Sequence, residues 1–77
     1  MNAFDSPTVD VRDMICAQAL AQADRAIRRL QPGESLTVIC NAADVERDLS
    51  VWAKEVGHRL VSTEQRPGAI RLRLVRG

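Results

Sequence analysis

Ala69-Ile70-Arg71-Leu72-Arg73-Leu74-Val75 alternates apolar and charged side chains almost without a break. That period of two is the mark of a strand with one face in a core and the other in water. Ile70, Leu72 and Leu74 are expected to face the core, and Arg71 and Arg73 the bare side. Arg66-Pro67-Gly68 is a tight turn. His58-Arg59-Leu60-Val61-Ser62-Thr63-Glu64 before it therefore reads as a strand antiparallel to the last one.

Further upstream the period changes. Val45, Leu49, Trp52, Ala53 and Val56 recur at three- and four-residue spacing and predict a helix over 43–56. Asn41 is the expected N-cap and Gly57 the residue that ends the helix. Ser35-Leu36-Thr37-Val38-Ile39-Cys40 is a strand, preceded by the turn Gln31-Pro32-Gly33-Glu34. Leu20, Ala23, Ile27 and Leu30 mark a helix over 17–30, with Arg25, Arg28 and Arg29 off the apolar stripe. Thr8-Val9-Asp10-Val11-Arg12 alternates as a short strand. Residues 1–7 read as a disordered leader and 8–77 as one domain. The order β-α-β-α-β-β predicts an α/β two-layer sandwich with a mixed four-stranded sheet and both helices on one face.

The chain has 77 residues, 45% of them hydrophobic and 27% charged, with 11 Lys and Arg against 10 Asp and Glu. Such a length supports a small core and leaves little room for an enclosed active site. A net charge of +1 argues against a dedicated nucleic-acid or membrane module. Two cysteines are too few for a disulfide scaffold. No apolar run has the length of a membrane span, and the opening residues lack a signal peptide's pattern. The expected setting is the reducing cytoplasm. Zinc-type Cys/His clusters, glycine-rich phosphate loops and paired-carboxylate motifs are missing, so neither a metal nor another cofactor is expected.

Cys16 is the chemically suggestive position. It follows the first strand and opens the first helix, where free N–H donors and the helix dipole favour a thiolate, the reactive form of cysteine. The run Asp10-Val11-Arg12-Asp13-Met14-Ile15-Cys16 resembles the TusA/SirA-like sulfur-carrier family. So do the helix that follows, Leu30-Gln31-Pro32-Gly33-Glu34-Ser35-Leu36, Arg47-Asp48-Leu49 and the closing hairpin. The likeness spans about Val9 to Val75. It implies a two-layer sandwich whose last strand is central and antiparallel to the others. It also implies a small cytoplasmic protein that takes sulfane sulfur as a persulfide on Cys16 from a donor protein and passes it to an acceptor protein. The family signature Cys-Pro-x-Pro stands here as Cys16-Ala17-Gln18-Ala19, and the family's upstream glycine is Asp13.

Without the prolines two local geometries compete. Either Cys16 caps the helix, with the amides of Gln18 and Ala19 able to reach its sulfur, or Asp13 caps it and Cys16 becomes the third helical residue. The first is the expectation. Asp13 is also expected to raise the thiol pKa against the helix terminus. Cys40 ends the second strand. Parallel pairing of the first two strands would place it at the same sheet edge as Cys16, where it is a candidate auxiliary thiol, although a core role suits it better. His58 falls at the opposite edge, so no Cys–His pair is expected. Arg66, Arg71 and Arg73 form a cationic stretch that suits a solvated face first and docking of an acidic protein second. The lack of aromatic residues there argues against RNA. Three functions remain: a sulfur carrier, an inactive module on the same fold that docks a partner, and a small RNA-associated domain. A monomer or weak dimer is expected.

Overall fold

A computed structural model describes residues 7–77. Its elements are β1 (Thr8–Asp10), α1 (Cys16–Arg28), β2 (Ser35–Cys40), α2 (Ala43–Glu55), β3 (Arg59–Arg66) and β4 (Ala69–Val75). The sheet order is β1-β2-β4-β3, with β1 parallel to β2 and β4 antiparallel to both of its neighbours. The alternating segment Ala69–Val75 is thus an inner strand. The expected leader lies outside the described residues except for Pro7, whose carbonyl accepts the Thr37 N–H at 2.9 Å.

Leu36, Val38 and Cys40 of β2 and Leu72 and Leu74 of β4 alternate onto the helix-covered side and are fully buried. Ala19, Ala23 and Ile27 of α1 and Val45, Leu49 and Ala53 of α2 meet them, with Val11 closing the edge. Alanines at 19 and 23 let the α1 backbone approach the sheet closely. The α1 stripe is turned slightly from the expected one, so Leu20 and Leu30 flank the core rather than fill it. Val56 was expected on the α2 stripe but is 53% exposed. The helix ends at Glu55, and Gly57 at φ 90° turns the chain away, carrying Val56 out of register. Trp52 is half-buried, its ring 5.5 Å from that of His58.

The carbonyls at the end of α1 would lack partners if the helix simply stopped. Arg76 reaches back across the sheet end, and its Nη1 donates to Arg28 O at 2.9 Å and to Leu30 O. Backbone bonds Gly33 N–H to Arg76 O (2.8 Å) and Arg76 N–H to Glu34 O (2.9 Å) hold it there. Arg76→Ala is therefore expected to lower stability by about 1–2 kcal/mol, as for loss of charge-assisted hydrogen bonds. A urea midpoint unchanged from wild type would contradict that role.

Candidate functional site

β1 and β2 run in parallel, so α1 and α2 both begin at one edge of the sheet. The loops that lead into them are tied together there. Val11 donates its N–H to Ile39 O at 2.7 Å and is buried. Asp13 and Asn41 then form a reciprocal pair: Asp13 N–H donates to Asn41 Oδ1 (3.0 Å), and Asn41 Nδ2 donates to Asp13 Oδ1 (2.8 Å). Asn41 is thus not the cap of α2, a place taken by Ala42. Its side chain is used between loops instead. Asp13 has φ 63°, the left-handed region where glycine is at ease and Asp is among the better-tolerated side chains. That conformation gives a backbone reason for a glycine at the corresponding place in the resembled family.

Neither expected geometry of the helix start is adopted. Ile15 is the N-cap, in extended backbone, and Cys16 is the first helical residue. Ala19 donates its N–H to Ile15 O at 3.0 Å rather than to the thiol. Asp13 is held by Asn41, which leaves the capping place to the chain itself. Cys16 is half-buried and Ile15, 67% exposed, lies beside it. Gln18 lies exposed one position before the buried Ala19.

The charges around the thiol come from the other helix. Asp44 and Asp48 stand one turn apart on α2, and Cys16 Sγ lies 3.8 Å from Asp44 Oδ2, a long thiol–carboxylate hydrogen bond. The Cys16 pKa is pushed up to about 11. A hydrogen bond to the Asp48 carboxylate is the largest cause, followed by poor solvation and the negative field of Asp48 and Asp44. The geometric hydrogen bond of the sulfur is the long one to Asp44, whereas Asp48 has the greater influence on its titration. The two together, not either alone, define the environment. The expectation that the helix terminus would favour the thiolate is corrected: the adjacent carboxylates outweigh it. Asp13 is not among the groups responsible.

Arg12 does not offset these carboxylates. Its guanidinium grips Asp10 in a two-point pair, Nε to Oδ1 at 3.0 Å and Nη2 to Oδ2 at 2.7 Å. The bonds from Arg12 hold the Asp10 carboxyl below the usual range.

Cys40 has its side chain on the helix side of β2, fully buried, its Sγ 4.0 Å from Ala42 O. Burial pushes that thiol up as well. Both cysteines are free. Arg71 and Arg73 project from the bare face of the sheet, opposite the helices, with Arg73 beside Thr37 and Ser62 and Arg71 beside Ile39 and Glu64. Arg66 pairs with Glu64 at 3.1 Å. These three arginines are thus not gathered with Cys16. His58 lies just before β3, its Nδ1 accepting Gly77 N–H at 3.1 Å. Among the described residues no cluster of His, Cys, Asp and Glu is placed to hold a metal ion, and no helix is long and apolar enough to cross a membrane.

Asn41, Asp44 and Asp48 are the site residues that sequence reasoning missed. Their signal was the i, i+4 spacing of the two aspartates, combined with the parallel β1–β2 pairing that sets both helix starts side by side.

The profile described as sulfurtransferase TusA matches residues 7–76. A protein of Neisseria meningitidis serogroup A, provisionally described as a sulfur carrier, is 26% identical over 90% of this chain and 93% of its own length. A relative in Aquifex aeolicus with the same provisional description is 28% identical over 87% of this chain, which spans only 34% of that relative. The crystal structure of a SirA-like protein from Desulfitobacterium hafniense superposes with a TM-score of 0.79 at 24% identity, over 91% of this chain and 96% of that one. That likeness is one of fold.

Proposed function

This chain belongs to the sulfurtransferase TusA family, and on that premise we propose that it relays sulfane sulfur between proteins as a persulfide on Cys16. The observation that carries the reading is the placement of Cys16: a free, half-buried thiol at the first helical residue, beside the exposed Ile15. By its place in the pattern it corresponds to the signature cysteine of the family, without the two prolines that follow it there. In charging, the Cys16 thiolate attacks the terminal sulfur of a donor persulfide. The donor's S–S bond breaks, its thiolate leaves with the electron pair, and the proton lost by Cys16 ends on that thiolate or in water. In delivery an acceptor thiolate attacks the same sulfur, and Cys16 leaves as thiolate and regains a proton.

Protein donors and acceptors in the reducing cytoplasm fit this chemistry, since Cys16 must stay a free thiol between transfers. A monomer or weak dimer is in keeping with the sheet edges. β1 has three residues, and the β3–β4 register shifts between Leu60 and Ser62, which blunts the other edge.

A second reading, an inactive module that docks a partner, is favoured by the carboxylates that hold Cys16 protonated. Intact-mass spectrometry after incubation with a cysteine desulfurase and cysteine separates the two. Wild type and Cys40→Ser are expected to gain one sulfur atom, and Cys16→Ser none. No gain in wild type, or a gain that follows Cys40, would overturn the carrier reading in favour of the module.

A further inference from the structure

Resting on the carrier reading, we propose that Asp44 and Asp48 select the sulfur source: they exclude anionic small-molecule donors from Cys16 and reserve charging for a protein donor that brings cationic side chains to the two carboxylates. The carboxylates come from α2 and the thiol from α1, and the two helices start at the same sheet edge. A donor sulfur aligned for attack by Sγ therefore approaches beside Asp44, 3.8 Å from the sulfur, with Asp48 one turn further along α2. Arg47, which stands between the two aspartates along α2, forms an ion pair with neither among the described residues, and the groups across the edge are occupied. Arg12 is bound to Asp10, and Asp13 to Asn41. The ion pairs among the described residues are Arg12–Asp10, Arg28–Asp24 and Arg66–Glu64, so neither Asp44 nor Asp48 has a cationic partner there. Among the described residues the site thus presents two carboxylates that no cation bridges.

Polysulfide and ionised low-molecular-weight persulfides are anions and meet repulsion over the last few ångströms. A protein persulfide flanked by Lys or Arg meets attraction. Docking of those cations also offsets the field that holds the proton on Cys16, so the thiolate forms when the donor arrives. Recognition and activation then share the same two residues.

The test uses a pair of methanethiosulfonate reagents of opposite charge, one bearing trimethylammonium and one sulfonate. Each converts the Cys16 thiolate to a mixed disulfide and releases methanesulfinate. The ratio of their rates reads the local field and cancels the thiolate fraction, which both share. In the full chain the cationic reagent is expected to be favoured over its preference for free cysteine. Asp44→Asn/Asp48→Asn should reduce that ratio about tenfold at low salt. Asp24→Asn/Glu55→Gln, which removes the same charge elsewhere, should leave it unchanged. Far-UV circular dichroism checks that each variant is folded.

Inorganic polysulfide supplies the second arm. Cys16 takes one sulfur atom, an S–S bond of polysulfide breaks, and the shortened chain departs as an anion. The Asn pair is expected to acquire sulfur faster than wild type by a factor about tenfold larger than the gain in its rate with neutral iodoacetamide, which corrects for the greater thiolate fraction. A rate ratio that stays within about twofold in the Asn pair, or that falls equally in the control pair, overturns the charge selection while leaving the carrier reading intact. A ratio that falls as expected, with no sulfur ever acquired on Cys16 from desulfurase or polysulfide, overturns the carrier reading and this proposal with it.

Discussion

Alkylation of Cys16 by the neutral reagent iodoacetamide should accelerate about tenfold for each pH unit between 7 and 10, and level off only near pH 11. The thiolate is the reacting form, so the rate follows its fraction. With the pKa pushed up to about 11, about one thiol in 1,000 is ionised at pH 8. At the ordinary value of 9.0 the fraction would be about one in 10. The measurement is the pH profile of the rate, with the modified residue assigned by peptide mass so that the buried Cys40 does not confuse it. A midpoint at or below about 8.5 would show that the helix terminus prevails over Asp48 and Asp44.

The same shift has a sign for stability. The folded state binds the Cys16 proton more tightly than the unfolded chain does. Its contribution is therefore fully present below pH 9 and is lost as pH rises from about 9 to about 11. Cys16→Ser lacks that alkaline loss, and a comparison of wild type and variant by unfolding across pH 8–11 reads the difference.

Leu72→Ala is expected to cost about 2–5 kcal/mol, the range for emptying a fully buried leucine site. Leu72 lies on an inner strand with β2 and β3 on its two sides, fully buried in the single described core cluster. For a domain of this size each kcal/mol lowers Tm by about 4–8 °C. The total stability of such a chain is only of the order of 5 kcal/mol. The variant is thus expected to be largely unfolded near 37 °C. Arg71→Ala, one residue away on the bare face, should stay within about 0.5 kcal/mol of wild type. Thermal unfolding of the pair checks this. A Leu72→Ala loss under about 1 kcal/mol would contradict the assignment of the covered face.

The fold was readable because each element carries its own period. The alternation of Ile70 to Leu74 with Arg71 and Arg73 specifies both a strand and which face is covered. The bounds of β2 and β4 agree with the reading, and those of the helices differ by one or two residues at their ends. The site was readable only in part. Cys16 at the start of α1 follows from sequence order alone. The electrostatics do not, because the deciding charges are 28 and 32 positions along the chain and act through packing between α1 and α2. Asn41 misled for a related reason. It has the composition of a cap, yet a better partner, Asp13, waits across the loop. Local propensity describes what a residue does with its neighbours in sequence, and here three polar residues are used between segments.

The strand order has a consequence for how the protein is made. β2 and β3 never touch; β4, translated after both, lies between them. Until Ala69–Val75 clears the ribosome tunnel, Leu36 and Val38 have no antiparallel partner, and β3 has no sheet to join. A nascent chain at that stage can hold little beyond the β1–α1–β2 unit with α2 against α1. Acquisition of the native state thus waits for the arrival of one late segment, and apolar surface stays open to chaperones for the whole of the preceding synthesis.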